Sequence, residues 1–379
     1  MRTSIAALMT GLALAATSCT TPPSAEAPDA LVAATETAAP PAPLRPGLVP
    51  EQAGDSYYVS AAAAVQKRID AQGVKPAKNV ILFIGDGMSI PTVTAARIYA
   101  GQKRGLDGES YSLTMETLPH MALSKTYSHD YQVADSASTA TAMTAGVKVN
   151  SGTLGVLKEA TRNNCALAQG NGTDSIFDLA EREGLATGIV STARITHATP
   201  GSTYSETPNR DWESDADLKG GDAGDCKDIA RQLIEWPEGD GFEVAMGGGR
   251  SAFLTEAEAD PENEGKTGSR KDGRDLTAEW VAKGPDHVYI TDQADFDATD
   301  FTSDVKVLGL FERSHMQFEM DRAKDTAGEP SLVDLTKAAI TRLSQDPNGF
   351  VLMVDGGRID HAHHGGNAAR ALDAPDEFD

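Results

Sequence analysis

The sequence predicts an α/β fold with a mostly parallel central sheet and helices on both faces. Short apolar segments such as 79–84 and 350–354 are typical of buried parallel strands. Segments with helical spacing of apolar residues alternate with these strands along the chain. Hydrophobic residues make up 40% of the 379 residues, which is enough for a sizeable core. One folded domain is therefore expected over residues 51–379.

The predicted elements follow one another from about residue 57. Strands are predicted at 79–84, 186–191, 242–246, 306–311 and 350–354, and helices at 91–102, 175–183, 225–235 and 331–344. Ser331, with Asp334 three residues later, has the pattern of a helix cap. The segment 255–284 is polar, charged and poor in large apolar residues. We therefore predict that it is a surface insertion.

The first 50 residues have the composition of a targeting region. Residues 1–18 predict a signal peptide, because a positive start is followed by an apolar segment too short to span a bilayer. It ends at Cys19 in a pattern that resembles a bacterial lipobox, which predicts lipid attachment at Cys19. A plain secretory signal is the alternative. The Pro-, Ala- and Thr-rich stretch 19–50 predicts a disordered tether. We therefore expect an exported, periplasmic protein that is lipid-anchored at Cys19.

The overall charge limits the possible partners. Asp and Glu outnumber Lys and Arg by 56 to 33, so the formal net charge is −23. This charge disfavours nucleic acids and anionic lipid surfaces as partners. Membrane contact is expected only through the N-terminal anchor. An anionic substrate would need bound cations or a local arginine to reverse the field.

Two cysteines remain after Cys19, namely Cys165 and Cys226. An even number of cysteines in an exported protein suggests one disulfide. That bond would close a loop of about 60 residues and contribute roughly 4 kcal/mol in the chain-entropy model. Two cysteines alone cannot form a structural zinc site.

Two carboxylates follow predicted strands directly. Asp86 stands between glycines after the first strand, and Asp355 precedes two glycines after the last strand. Ligands of open parallel sheets bind beyond the carboxyl ends of the strands. Asp360 and His364 are four residues apart, so on a helix they would share a face. A carboxylate and an imidazole together suit Zn²⁺, although an exposed polar cluster is the alternative.

Residues 133–146 indicate a tightly packed helix that begins near Asp135 and Ser136. Serine is a favoured N-cap residue, and the first amides of a helix lack partners within it. Those amides can bind an anion, so the Ser136 hydroxyl would face a phosphate group held there. An ordinary serine-capped helix is the alternative.

Six motifs together resemble those of the alkaline phosphatase family, and they are nearer to its animal-type branch. They occur in the order typical of the family and cover residues 79–370. The motifs are 84–88 (IGDGM), 135–142 (DSASTATA), 196–200 (THATP), 209–212 (NRDW), 246–250 (MGGGR) and 355–364 (DGGRIDHAHH). The resemblance implies phosphatase activity on a broad range of phosphate monoesters, two Zn²⁺ ions and one Mg²⁺ ion, and possible homodimers.

The resemblance also implies a role for each matched residue. Ser136 would be the nucleophile that becomes phosphoserine, and Arg210 would hold the phosphate. The implied metal ligands are Asp86, which would bridge Mg²⁺ and one Zn²⁺, Thr199 and Asp355 for Mg²⁺, and Asp360 and His364 for the other Zn²⁺. Asp135 and His197 would lie just behind these groups. In the animal-type branch, the cysteines that correspond to Cys165 and Cys226 form a disulfide.

Two departures from the family pattern limit these expectations. The family has glutamate where Asp355 stands, and aspartate is one methylene shorter. The family also continues beyond residue 379 with an Asp-His pair and a further His that bind zinc, and with strands of the central sheet. We therefore expect a C-terminally incomplete chain with incomplete zinc sites and missing C-terminal strands. An inactive scaffold or another hydrolase of the superfamily, such as a phosphodiesterase, is the alternative function.

Overall fold

A computed structural model of the chain describes residues 49–72, 77–219 and 222–379. The predicted signal peptide 1–18, the lipidation site Cys19 and the tether up to residue 48 lie outside the described residues. Within the described part, no helix is both long enough and apolar enough to cross a membrane.

The described strands form a six-stranded sheet in which every neighbouring pair is parallel. The strand order is β1-β6-β2-β3-β5-β4. The strands are β1 (Val80–Ile84), β2 (Ala186–Arg194), β3 (Val244–Gly248), β4 (His287–Ile290), β5 (Lys306–Leu310) and β6 (Phe350–Asp355). The predicted fold class, an α/β fold with a parallel sheet, is confirmed.

Helices connect the strands and cover the sheet. They are α1 (Ser56–Gln72), α2 (Ile90–Lys103), α3 (Ser136–Ala145), α4 (Cys165–Ala168), α5 (Ile176–Arg182), α6 (Ala198–Gly201), α7 (Ile229–Ile234), α8 (Leu276–Val281), α9 (Gln293–Ala298), α10 (Glu319–Arg322), α11 (Leu332–Leu343), α12 (Gly357–His364) and α13 (Ala368–Phe378). As predicted, the Ser331 side chain accepts a hydrogen bond from the Asp334 amide and caps α11.

Two hydrophobic clusters lie on opposite faces of the sheet. Neighbouring residues of a strand point to opposite faces, and Ile189 and Val190 of β2 accordingly belong to different clusters. The first cluster includes residues of α5, α7 and α8, and the second includes the buried face of α11. The sheet is therefore covered on both faces, which explains why β3 and the first five residues of β6 carry no polar side chain.

Two elements of the sheet's far edge were not predicted from the sequence. The strand β4 is only four residues long, and polar residues flank it, so it gives a weak signal. The helix α8 lies inside the segment 255–284, which we predicted to be a surface insertion. Within that segment, Arg270 is fully buried and pairs with Asp228, the capping residue of α7, while Trp280 packs into the first cluster. Part of this segment thus belongs to the core.

The cysteines Cys165 and Cys226 are bonded, with their Cα atoms 5.7 Å apart. The bond closes a loop with a sequence separation of 61 residues. It joins the short helix α4 to the loop that precedes α7.

Replacing both cysteines by serine should lower the free energy of unfolding by about 4 kcal/mol, because the unfolded chain would regain the freedom of a long loop. Urea denaturation of the oxidised chain and of the Cys165→Ser/Cys226→Ser variant measures the difference. Wild-type protein unfolded under reducing conditions is the control and should match the variant. Equal stability of oxidised wild type and variant would show that the bond does not constrain the unfolded chain.

Glu181, at the end of α5, is a buried carboxylic acid. Its Oε1 accepts a hydrogen bond of 2.6 Å from the hydroxyl of Thr187 on β2. Burial, and then the nearby Glu243 and Asp240 carboxylates, raise the pKa of Glu181 to about 7, although the Thr187 bond and Lys306 act in the opposite direction. The folded chain therefore holds the proton of Glu181 more tightly than the unfolded chain does.

Stability from this group is present below pH 4.5, the ordinary pKa of glutamate, and is lost as the pH rises through about 7. Glu181→Gln should therefore match the wild type at pH 4 and be more stable at pH 8, by at most on the order of 3 kcal/mol. Urea denaturation at both pH values measures this. Glu256→Gln, at an exposed position, is the matched control. A difference that does not change with pH would contradict the assignment.

Candidate active site

Three neighbouring strands bring carboxylates to one edge of the sheet. In the ladder, Asp355 at the end of β6 lies between Ile84 of β1 and Ser191 of β2. Asp86 follows β1 by two residues, and burial together with the nearby charge of Asp86 raises the pKa of Asp355. The two carboxylates predicted at strand ends therefore share one site, at the edge where parallel sheets bind ligands.

The hydroxyl of Ser136 contacts the carboxylate of Asp86. The Oγ atom of Ser136 lies 3.0 Å from both Oδ1 and Oδ2 of Asp86. Thr199 donates a longer hydrogen bond, from its Oγ1 to Oδ2 of Asp86, at 3.3 Å. These contacts bring together three of the sequence motifs. The Asp86 carboxylate therefore accepts hydrogen bonds from Ser136, the predicted nucleophile, and from Thr199, a predicted metal ligand.

Asp135, and not Ser136, caps the helix α3. The Asp135 side chain accepts hydrogen bonds from the amides of Ala137 and Ser138, and Ser136 is the first residue of the helix. The prediction that Ser136 is the N-cap residue is wrong, because the carboxylate one position earlier reaches the same amides. Since Asp135 occupies these amides, an anion beside Ser136 needs another source of positive charge.

Arg210 is placed to supply that charge. Its Nη1 donates to Oδ2 of Asp135 at 3.0 Å, and its Nη2 lies 3.0 Å from Nε2 of His197. Burial raises the pKa of Asp135, but the hydrogen bond from the Gly152 amide and the charge of Arg210 outweigh burial and leave that pKa below its ordinary value. Arg210 is thus held beside the residue that precedes Ser136 and is 18% exposed, so its charge is only partly screened by water.

Asp355 is a fully buried carboxylate with one oxygen unpartnered. Its Oδ2 accepts a hydrogen bond of 2.6 Å from the hydroxyl of Ser191. Its Oδ1 is also buried and has no hydrogen-bond partner among the described residues. Burial, and then the charges of Asp86 and Asp360, raise the pKa of Asp355 well above its ordinary value. An unpartnered buried oxygen beside two further carboxylates is a donor set that suits a divalent cation.

Asp360 and His364 share a face of α12, as predicted from their spacing. Oδ2 of Asp360 lies 3.4 Å from Nε2 of His364. The Asp360 carboxylate also packs over Gly87, where a Cβ atom would lie 2.6 Å from its Oδ1 and where φ is +66°. Only glycine allows this approach. The motif around Asp86 therefore positions Asp360 as well as Asp86 itself.

Two histidines to which the sequence analysis assigned no role lie beside His197. The ring centroids of His315 and His361 are 4.0 Å apart, and each is 5.3 Å from that of His197. Burial and neighbouring arginines lower the pKa of all three, that of His361 to about 4. The three imidazoles are therefore neutral at pH 7. His361 stands inside a recognisable motif, whereas His315 follows β5 with no motif around it.

The sequence analysis did not predict a second group of converging carboxylates, which lies outside the candidate site. Glu262, Glu312 and Asp325 place ligand oxygens within 4.8 Å of one another, and no other such group of three lies among the described residues. Arg250, which is fully buried, pairs with Glu262. The three acids are far apart in sequence and in no shared motif, so only the folded chain reveals the cluster.

Comparison with known proteins identifies the family of this chain. The model of the family "Alkaline phosphatase" matches residues 77–379. The chain is 45% identical to an alkaline phosphatase of Gadus morhua over 311 residues, which are 80% of this chain and 64% of that protein. It is 42% identical to the tissue-nonspecific isozyme of Gallus gallus over 348 residues, which are 88% of this chain and 65% of the relative. The chain thus spans just under two thirds of these relatives.

Solved structures agree with the sequence comparison. The Thermus thermophilus alkaline phosphatase superposes with a TM-score of 0.63 at 31% identity, covering 80% of this chain and 55% of the other. The alkaline phosphatase from the Antarctic bacterium TAB5 gives 0.60 at 28% identity, covering 80% and 72%. The family model, the relatives and the solved structures agree, and the chain belongs to the alkaline phosphatase family.

Proposed function

We propose that this chain hydrolyses phosphate monoesters through a phosphoserine at Ser136. Family membership supports the reaction class. The observation that carries the assignment to Ser136 is the contact between its hydroxyl and both oxygens of Asp86 at 3.0 Å. A serine hydroxyl is a weak nucleophile unless a neighbouring group or a cation activates it. The Asp86 carboxylate is such a neighbouring group for Ser136.

The residues of the site support two successive displacements. The Oγ atom of Ser136 would attack phosphorus and release its proton, while the bond from phosphorus to the ester oxygen breaks and the alcohol leaves. Water would then attack the phosphoserine, returning the hydroxyl to Ser136 and releasing inorganic phosphate. The forked guanidinium of Arg210 would hold two phosphate oxygens and stabilise the charge of the transition state. Two inversions predict net retention at phosphorus.

The donor set of the site fits the metals that the family resemblance implies. We propose that Asp86, Thr199 and Asp355 hold Mg²⁺, and that Asp360 and His364 hold one Zn²⁺, with Asp86 also contributing to the second Zn²⁺. The unpartnered oxygen of Asp355 and the mutual repulsion of the three carboxylates support cation binding here. Bound divalent cations supply positive charge that lowers the pKa of a coordinated hydroxyl or water.

Other parts of the proposal rest on the sequence alone. We propose export to the periplasm with a lipid anchor at Cys19, and the homodimer that the family resemblance implies. The substrate class proposed is the broad range of phosphate monoesters that the family resemblance implies.

The proposed function is tested with purified chain supplied with Zn²⁺ and Mg²⁺ and with p-nitrophenyl phosphate. Ser136→Ala should lower the turnover at least about a thousandfold, because the nucleophile is removed. At low pH, labelled substrate should leave label on Ser136 in the wild type and none in the variant. Ser110→Ala, on an exposed turn, is the matched control and should keep full activity.

Undiminished turnover by Ser136→Ala would overturn the assignment of the nucleophile. Hydrolysis of bis-p-nitrophenyl phosphate in preference to the monoester would replace a phosphomonoesterase by a phosphodiesterase. No turnover of either compound by the folded, metal-supplied wild type would favour the inactive scaffold.

Metal binding is tested without activity as the readout. Mg²⁺ at about a hundred times its Kd should stabilise the folded chain by about 2.7 kcal/mol, because it binds the folded state alone. Thermal denaturation with and without Mg²⁺ measures this, and a chelator should reverse the shift. Asp355→Asn should lose most of the shift, since it removes one of the three carboxylates. Glu109→Gln, at an exposed position, is the matched control, and an equal shift in Asp355→Asn would exclude Asp355 as a ligand.

A further inference from the structure

A cleft of about 450 Å³ opens beside the Cys165–Cys226 disulfide. It is lined by residues of α5, by the segment that follows α6 and by the turn after α7. Its lining includes seven acids, among them Glu51, Asp178 and Glu206, and only two bases, Arg182 and Lys227. The cleft is therefore strongly negative.

The two bases neutralise only part of this charge. Arg182 pairs with Asp174 at 2.7 Å and with Glu238 at 2.6 Å, and Lys227 pairs with Glu235 at 2.8 Å. Within the described residues, no ion pair is formed by the remaining lining acids, which are Glu51, Asp178, Glu206 and Asp225. A cation in the cleft would meet several carboxylates that no protein cation satisfies.

The position of Glu206 depends on a glycine. A Cβ atom at Gly172 would lie 2.3 Å from Oε2 of Glu206, so the carboxylate occupies the room that the missing side chain leaves. Glu206 is exposed to solvent in the cleft, which Glu51 and Asp178 also line. A cation bound beside Glu206 would therefore offset the repulsion among these three carboxylates.

The hydroxyl of Thr173, the residue after Gly172, lacks a hydrogen-bond partner among the described residues. Thr173 lines the cleft and is only 4% exposed. Buried hydroxyls are normally hydrogen-bonded. A ligand with N–H donors in the cleft could supply the partner that the protein does not.

Trp236 adds an aromatic wall to the cleft. Its ring stacks on Phe242 with centroids 4.3 Å apart, and its Nε1 donates to Oδ1 of Asp178 at 2.9 Å. Both contacts fix the indole in place. An indole face attracts ammonium groups, and the attraction is larger where water is partly excluded.

The spread of the carboxylates distinguishes between kinds of cation. The acids of this cleft do not converge as Glu262, Glu312 and Asp325 do, so the cleft does not match the close oxygen shell that a divalent metal requires. Its volume lies in the range of sites for small organic ligands. We propose that this cleft binds a linear organic polyamine, whose ammonium groups reach Glu206, Thr173 and the face of Trp236.

Spermidine is the probe, and isothermal titration calorimetry at about 0.15 M salt is the measurement, since salt at that level screens loose binding to a negative surface. The wild type should bind one spermidine in a saturable manner. Glu206→Gln should raise the Kd at least about tenfold, because it removes the carboxylate that is proposed to contact an ammonium group. Gly172→Ala should also weaken binding, since it displaces the Glu206 carboxylate without changing any charge.

Glu109→Gln removes the same charge from an exposed position outside the cleft and should leave the Kd unchanged. Ser136→Ala should bind spermidine as the wild type does, which separates this site from the proposed phosphatase site. Circular dichroism checks that each variant is folded. Equal affinity in Glu206→Gln and Glu109→Gln, or binding without saturation, would overturn the proposal. Displacement of bound spermidine by Mg²⁺ at concentrations below the Kd of spermidine would replace the polyamine by a metal ion in this cleft.

Discussion

The contact between Asp86 and Ser136 is the constraint on which the candidate site depends. Asp86 is fixed because it follows a strand of the parallel sheet, and Ser136 is fixed because it begins a helix that Asp135 caps. A distance of 3.0 Å from one hydroxyl to both carboxylate oxygens requires strand and helix to be placed within a fraction of an ångström. The cores on the two faces of the sheet supply that rigidity, because close-packed interiors resist small displacements.

The candidate site must concentrate positive charge within a protein whose net charge is strongly negative. A chain with a formal net charge of −23 repels anions at long range, so a phosphate site needs concentrated positive charge. Arg210 supplies one part of it, and its orientation comes from Asp135 and His197. Buried carboxylates such as Asp355 favour bound cations, and those cations would supply the remaining positive charge. The acids near the site therefore do not oppose an anionic substrate once cations are present.

Glycines create room for carboxylates in two separate places. Gly87 leaves space for Asp360 in the candidate active site, and Gly172 leaves space for Glu206 in the acidic cleft. In both places the carboxylate lies where any larger side chain would collide with it. The two sites nevertheless differ in chemistry, because the first brings carboxylates together and the second spreads them along a groove with an aromatic wall. The first arrangement suits a metal ion, and the second suits an extended organic cation.

The fold class and most of the candidate site could be predicted from the order of the residues. Strand and helix periodicity are local properties, so the parallel sheet and the helical face shared by Asp360 and His364 could be predicted. Whether Asp135 or Ser136 caps α3 is a local choice between two adjacent residues that both favour the N-cap position, so the sequence narrowed it without settling it. The approach of His315 to His197 is different, because it joins segments more than a hundred residues apart. Only the folded chain brings these two rings together, since no motif surrounds His315.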